Sequence, residues 1–243
     1  MSSPGPINSQ HFRAIVQRRL RLPLFSSEFQ CGFCNDNIDI YGDHCLVCSC
    51  GGDRTRRHNF LRNEVFFCCT SAGLQPELER PGLLQPRPLV GSRLEDGGRP
   101  DDSGLRRPAD VYVPRWRNGI PAAFDFAVTS GLRQTVIASS AQDGSAAACR
   151  YEDYKREYLD TAQTCADEGL TFIPVVAEAH GGGWSPNAHK LLSELAKRKA
   201  SLTGELDSKV ACELHQKLGL ILHRENARAI LRRWPGIASA AST

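Results

Sequence analysis

Hydrophobic and polar positions alternate most clearly in two runs near the middle of the chain, residues 110–114 and 122–129. An Asn118-Gly119 pair lies between them. Period-two alternation in β-branched residues indicates strands, and Asn-Gly is a strong signal for a two-residue hairpin turn. The pattern therefore predicts a β-hairpin. Each of its strands carries one carboxylate among apolar neighbours, Asp110 at the start of the first and Asp125 inside the second.

The rest of the chain predicts helices and strands around this hairpin. Apolar spacing of 3.6 predicts helices over residues 11–20, 55–70, 149–167, 186–199 and, as one or two helices turning near Gly219 or His223, 207–233. The apolar face of the first would be Phe12, Ile15, Val16 and Leu20. Strands are expected within residues 74–80 and, fully buried, at 170–179. Residues 81–107 and 138–148 are expected to be flexible. The order is that of an α/β (α+β) fold.

Composition and charge exclude some classes of protein. The chain has 243 residues, 41% of them hydrophobic and 23% charged, which is typical of a globular protein of one or two domains. It contains neither a run long enough to span a bilayer nor an apolar signal core, so we expect an intracellular protein without a membrane partner. A net charge of +3 is too small to indicate nucleic-acid binding by itself. Local arginines are more informative, and candidate phosphate contacts are Arg54, Arg56, Arg57, Arg115 and Arg117. Solvated surface arginines are the alternative.

Five of the ten cysteines and two of the seven histidines lie between residues 31 and 58. Cys31-Gly-Phe-Cys34 is followed by His44 and Cys48. Two thiolates two residues apart can bind one ion, and a His-x-x-x-Cys pair can complete a tetrahedral zinc site. Cys50 or His58 could replace one of the four ligands. Buried free thiols beside a surface histidine are the alternative. A zinc knuckle at residues 31–58 would follow a basic helix or linker, residues 1–30.

The hairpin carboxylates suggest a second kind of metal site. Asp110 and Asp125 on neighbouring strands could converge on a hard divalent cation such as Mg²⁺ or Mn²⁺. Glu64, on the helix after the knuckle, is a candidate third ligand, and Lys155, on the following helix, could orient water or stabilise developing charge. The alternative is that Asp110 caps a turn while Asp125 faces solvent. Glu178, where the buried strand ends, is a further accessory candidate.

These pieces together resemble the PD-(D/E)XK nuclease superfamily, and more narrowly the restriction-enzyme-like endonuclease domain of site-specific non-LTR retrotransposons. The resemblance rests on the Cys/His knuckle, Arg57-His58-Asn59, Pro108-Ala109-Asp110, Asp125 and residues 154–158 (Tyr-Lys-Arg-Glu-Tyr), which span residues 31–178. It implies an αβββαβ restriction-endonuclease-like core over residues 59–200, followed by a helical extension at 201–243. It also implies a Mg²⁺- or Mn²⁺-dependent endodeoxyribonuclease that nicks target DNA for target-primed reverse transcription.

The resemblance further implies partners and a location. The expected partners are DNA, with element RNA as a further candidate, and a reverse transcriptase module on the same polyprotein; no small-molecule cofactor is expected. The expected location is the nucleus.

Three departures from the family pattern affect the catalytic residues. Ala109 interrupts the proline–aspartate pair, Ala127 stands where the superfamily usually has lysine, and Asn59 stands where aspartate is common. The retrotransposon branch places its lysine on the following helix, which makes Lys155 the candidate here; Asn59 is given no catalytic role. If the lysine is instead lost, the domain is a non-catalytic nucleic-acid-binding module. A zinc-stapled protein interaction domain is the third reading.

Overall fold

A computed structural model describes residues 7–85 and 108–234. Its helices and strands follow in chain order: α1 (Ser9–Arg19), β1 (Phe29–Gln30), β2 (Asn37–Ile38), α2 (Asp43–Val47), α3 (Asp53–Ser71), β3 (Glu77–Leu78), β4 (Val111–Arg117), β5 (Ile120–Thr129), α4 (Ile137–Gln142), α5 (Ala146–Glu157), α6 (Thr161–Asp167), β6 (Thr171–Glu178), α7 (Pro186–Thr203) and α8 (Asp207–Leu231). In the described part of the chain, every helix is too short or too polar to cross a membrane.

A mixed four-stranded sheet in the order β3-β4-β5-β6 forms the centre of the fold. The predicted hairpin is confirmed as β4 and β5, which pair antiparallel. Asn118 and Gly119 form its turn with φ of 52° and 78°, a left-handed conformation that these two residue types tolerate best. The buried strand is confirmed as β6, which runs parallel to β5. Because parallel neighbours need a crossover, α4, α5 and α6 connect them.

Two layers of helices cover the sheet. On one face, alternate residues of the strands such as Val111, Phe124 and Val175 pack against α3, α7 and α8. On the other face, Tyr112, Ala123 and Phe172 pack against Cys165 of α6. This alternation along β5 turns Asp125, one residue after Phe124, towards the α5–α6 side. Leucines of α8, assigned from sequence to an extension, belong to the first core: Leu214, Leu218 and Leu222.

Helix α1 forms where it was expected, but of its four predicted apolar residues only Ile15 packs against a buried cluster. Phe12 and Leu20 are 60% and 63% exposed, whereas Ala14 and Arg18 are buried. Ala14 packs against Ala227 and Leu231 of α8. The side chain of Arg18 donates to Asp43 at 2.8 Å, so a buried arginine paired with a partly exposed aspartate replaces the apolar contact that periodicity suggested.

Three further expectations about local structure are corrected. Residues 138–148 were expected to be flexible but belong largely to α4 and α5, with Ala147 and Ala148 buried. The helix predicted over 149–167 is broken into α5 and α6 by a 3₁₀ turn in which Leu159 and Asp160 have positive φ. The region 207–233 is one helix that continues through Gly219.

The long segment predicted to be flexible is only partly described. Residues 86–107 lie outside the described residues. Just before them, Leu84 is buried in the cluster that contains Tyr112 and Phe172, so the start of this segment packs on the sheet.

Candidate metal centre and active site

The four predicted zinc ligands come together between β1 and α3. One ligand atom each from Cys31, Cys34, His44 and Cys48 lies within 4.8 Å of all the others. The Cys34 sulfur lies 3.2 Å from Nε2 of His44 and 3.6 Å from the sulfur of Cys48. Three thiols and one imidazole at this spacing suit a tetrahedral zinc ion. The cluster could therefore bind a metal such as zinc.

Three other cysteines and histidines in this region, Cys45, Cys50 and His58, are not ligands in this cluster. Cys50 and His58, the substitutes considered from sequence, are not part of this cluster. Cys45 is buried, and burial raises the pKa of its thiol to about 12, which keeps it protonated. Burial acts in the same direction on Cys31, but the backbone N–H groups of Phe33 and Cys34 lower the pKa of this thiol overall, to about 6. A lowered pKa favours the thiolate, the form that binds zinc.

The hairpin carboxylates lie at a step in the sheet. Strand β4 begins at Val111, opposite Phe124, while β5 continues beyond this point paired only with β6. Asp110 lies at the step: its N–H donates to the carbonyl of Phe124 at 2.9 Å, and its Oδ2 accepts from the N–H of Phe126 at 2.6 Å. Asp110 is therefore fixed on both sides of Asp125, through its backbone N–H at Phe124 and through its carboxylate at Phe126.

Lys155 of α5 contacts Asp125 directly. Its Nζ lies 2.8 Å from Oδ2 of Asp125, and both side chains are about three-quarters buried or more. Burial raises the pKa of the Asp125 carboxyl to about 6; the attraction of Lys155 opposes this shift and the charge of Asp110 adds to it. Burial acts to lower the pKa of Lys155, but Asp125 raises it overall, so the amine is a cation at neutral pH. The helix thus brings an ammonium to the strand carboxylates.

His58 reaches this centre from the opposite side of the sheet. Its Nε2 lies 3.1 Å from Oδ1 of Asp110, and its ring meets Phe126 edge-on at 6.4 Å. Burial acts to raise the pKa of Asp110, but the hydrogen bond with His58 lowers it overall, with a further contribution from the N–H of Phe126. The sequence made His58 a substitute zinc ligand; the resemblance around Arg57-His58-Asn59 was the signal that could have placed it beside the hairpin carboxylates.

The structure does not bring Glu64 to Asp110 and Asp125. Glu64 lies on α3 but pairs with Lys217 of α8 at 2.7 Å and lines a cavity of about 650 Å³ between these two helices. Six residues separate it from His58, which corresponds to a different side of the helix because each residue turns by 100°. Glu178 also has other partners: its carboxylate accepts from the N–H groups of Gly131 at 2.8 Å and His180 at 2.9 Å.

The predicted arginines are in different environments. Arg57 is buried and donates to Asn226 at 2.7 Å and to the carbonyl of Leu46, so a phosphate contact is excluded by its burial. Arg54 and Arg56 are exposed at the start of α3. At the hairpin turn Arg115 is exposed too.

Trp116 and Arg117 of the hairpin both contact other parts of the protein. Arg117 pairs with Glu194 of α7. Trp116 is 2% exposed and packs edge-on against Phe124 at 5.2 Å. Trp116 is therefore not exposed for stacking on DNA.

Among the described residues, three or more ligand atoms converge only at the Cys31–Cys48 cluster. A hard cation at the carboxylate centre would therefore need oxygen ligands from water and substrate besides Asp110 and Asp125. Comparison of the chain with protein-family models and with curated proteins gave no match.

Proposed function

We propose that this protein is a divalent-metal-dependent endonuclease that nicks DNA, with Asp110, Asp125 and Lys155 as its catalytic residues. The observation that supports the proposal most strongly is the 2.8 Å ion pair between Lys155 and Asp125 beside the fixed carboxylate of Asp110. Burying a lysine and two aspartates at one point costs free energy unless they are paired. Such groups concentrate at functional sites, where charge must be handled away from water.

The donor set fits Mg²⁺ or Mn²⁺. Mg²⁺ is commonly held by one or two carboxylates, with waters and substrate phosphates as its other ligands. Asp110 and Asp125 can supply the two carboxylates. The raised pKa of Asp125 reflects burial and a neighbouring negative charge, which a cation between the two carboxylates would offset. The bound ion would polarise the phosphate and lower the pKa of a coordinated water.

Each side chain has a separate task in this proposal. Asp110 and Asp125 hold the ion against the step in the sheet. Lys155 places its ammonium beside Asp125, where it can donate to a phosphate oxygen and stabilise charge as water attacks phosphorus. The water oxygen bonds to phosphorus, the bond to the 3′ oxygen breaks, and that oxygen takes a proton. His58 is a positioning residue because it contacts Asp110, which would be the ligand, and orients its carboxylate.

The order of elements supports the finer assignment. After the cysteine cluster the described chain runs α3, β3, β4, β5, the three helices α4, α5 and α6, and then β6. With α5 counted as the core helix, this is compatible with the αβββαβ order expected of a restriction-endonuclease-like core. In this reading the nick leaves a 3′ hydroxyl that primes reverse transcription by a polymerase module in the nucleus, as in site-specific non-LTR retrotransposons. Zinc at the Cys31–Cys48 cluster would be structural.

The proposal is tested by conversion of supercoiled plasmid to open circles. The zinc-loaded protein should nick with Mg²⁺ or Mn²⁺ and not without a divalent cation. Asp110→Asn and Asp125→Asn should each lower the rate by roughly 10²–10³-fold or more, because removing a group that stabilises transition-state charge has effects of this size. Asp153→Asn, which removes an exposed charge from the same helix as Lys155, should leave the rate unchanged.

Two outcomes would contradict the nuclease. Nicking that survives both carboxylate substitutions would come from another site or a contaminant. A folded, zinc-loaded protein that does not nick would instead favour a non-catalytic module. Salt-dependent DNA affinity would then separate a DNA-binding module from a protein interaction domain, because phosphate contacts release counterions.

A further inference from the structure

We infer that the arginines at the start of α3 and the end of α8 form the surface that binds the backbone of duplex DNA. This surface, called here the α3–α8 arginine surface, consists of Arg54, Arg56, Arg228 and Arg232. The inference rests on the proposed function, since it names how the substrate is held. It also gives a role to the C-terminal helix, whose arginines showed no role in the sequence.

Positive charge exceeds negative charge in this surface. Asp53 accepts from Arg228 at 2.6 Å and from Arg232 at 2.9 Å, and its second oxygen accepts from the buried Arg233 at 2.6 Å. Both carboxylates in this network, Asp53 and Glu225, are buried.

Glu225 links the two helices. It accepts from Arg56 at 2.9 Å and from Arg228 at 3.2 Å. Two carboxylates are thus shared by four arginines, which are Arg56, Arg228, Arg232 and the buried Arg233. The exposed Arg54 adds a further charge. The excess of three equals the formal net charge of the whole chain, so the rest of the protein is close to neutral. A local excess of this kind attracts phosphates.

The carboxylates also hold the guanidinium groups in place. Arg56 lies over the ring of Phe60 at 4.7 Å, and Arg232 lies over Phe33 at 5.0 Å. Guanidinium groups that are already oriented lose less conformational entropy when they bind a phosphate. The ring face on which each of these arginines lies is not available to stack on unpaired bases. The surface therefore suits the backbone of a duplex better than a single strand.

The outer face of α3 supports the same partner. Arg56 precedes His58 by two residues on α3, about 3 Å along the helix axis and about 200° around it, so Arg56 lies on a different face of the helix from His58, which contacts Asp110. The outer face of α3 forms a shallow groove of about 530 Å³ whose lining includes Thr55, Asn59 and Asn63 but no carboxylate. A helix face of this chemistry can enter the major groove, where asparagine and arginine pair with base edges.

The test is the salt dependence of duplex binding, measured by fluorescence anisotropy with the full zinc-loaded chain in buffer without Mg²⁺. The triple variant Arg54→Gln, Arg56→Gln, Arg232→Gln should reduce the slope of log affinity against log salt by about 2.7 between about 50 and 200 mM, since each phosphate contact contributes about 0.9. The corresponding lysine triple keeps the charges and should restore the slope. Zinc content and thermal melting establish that each variant is folded.

A matched triple removes three charges elsewhere: Lys190→Gln, Lys197→Gln and Lys209→Gln, all exposed on α7 and at the start of α8. It should bind the duplex with the slope of the parent. The inference is overturned if this variant loses the slope while the α3–α8 triple keeps it, or if the lysine triple fails to restore it. If the parent nicks plasmid but the α3–α8 triple variant keeps the salt slope of the parent, the inference about the surface is wrong and the proposed nuclease is not affected. If the triple variant loses the slope but the parent does not nick plasmid, the proposed nuclease activity is wrong and the inference about the surface is not affected.

Discussion

Replacing Asp53 by alanine should destabilise the protein strongly, because three arginines at the end of α8 share this carboxylate. The side chain of Asp53 is 3% exposed and that of Arg233 is fully buried, whereas those of Arg228 and Arg232 are 25% and 36% exposed. The substitution would leave the Arg233 cation buried without its counterion. The contact also joins the start of α3 to the end of α8, beside the cysteine cluster.

The size of the effect follows mainly from Arg233. Breaking a buried ion pair by removing one partner typically costs about 3–5 kcal/mol, because the remaining charge stays desolvated. Arg228 and Arg232 retain access to water, and pairs of this kind contribute at most about 1 kcal/mol each. We therefore expect Asp53→Ala to lose about 3–5 kcal/mol of unfolding free energy, which is two to four orders of magnitude in the unfolding equilibrium.

The loss can be measured by denaturant unfolding of zinc-saturated protein, with Asp153→Ala as the control. Asp153 is exposed on α5, so its removal should change stability by no more than about 0.5 kcal/mol. A loss below about 1 kcal/mol for Asp53→Ala would refute the reasoning.

The pH dependence gives a second check on Asp53. Burial acts to raise its pKa, but hydrogen bonds from Arg233 and Arg232 lower it overall. Its contribution should therefore be complete at neutral pH. The difference between parent and variant should shrink as the pH falls below the usual carboxyl range.

Three other predictions concern the metal cluster, the carboxylate centre and the hairpin. Cys48→Ala should abolish stoichiometric zinc, read by elemental analysis; full retention of zinc would reject the four-ligand assignment. In metal-free protein, Asp125 should titrate near pH 6 by carboxyl ¹³C NMR, and Lys155→Met should raise that midpoint by removing an attractive charge. A midpoint near 4 in the parent would contradict the burial of this carboxyl. Because the folded pKa is raised, the contribution of Asp125 to stability falls as the pH rises through about 4 to 6. Trp116→Ala should cost about 3–5 kcal/mol in thermal or denaturant unfolding, the usual loss for a buried tryptophan; an unchanged stability would contradict its place in the core.

Local sequence signals predicted the parts of the fold that depend on neighbouring residues. The Asn118-Gly119 turn and the alternation on either side of it define β4 and β5, and the apolar run at 170–179 defines β6. Ligand spacing was enough to group Cys31, Cys34, His44 and Cys48, because a two-residue gap and a short loop restrict where four side chains can meet.

Features that depend on distant partners were not predictable in the same way. Arg57 was assigned to phosphate because its sequence neighbours are basic, but its partner Asn226 lies 169 residues away. Glu64 was assigned to the active site because it lies on α3, the helix that also carries His58. Its side chain faces α8, however, and pairs with Lys217, and the position of α8 could not be predicted from the sequence around Glu64. The break after α5 needs positive φ at Leu159, a residue type that gives no warning of it.

The most direct measurement of the central claim is plasmid nicking by Lys155→Ala at saturating Mg²⁺, because this residue joins α5 to the strand carboxylates. The variant should fold, bind zinc and bind duplex DNA like the parent, yet nick roughly 10²–10³-fold more slowly, since it lacks the cation that stabilises charge at phosphorus. Nicking by the variant at the rate of the parent would contradict the account and reduce the Lys155–Asp125 pair to a structural contact.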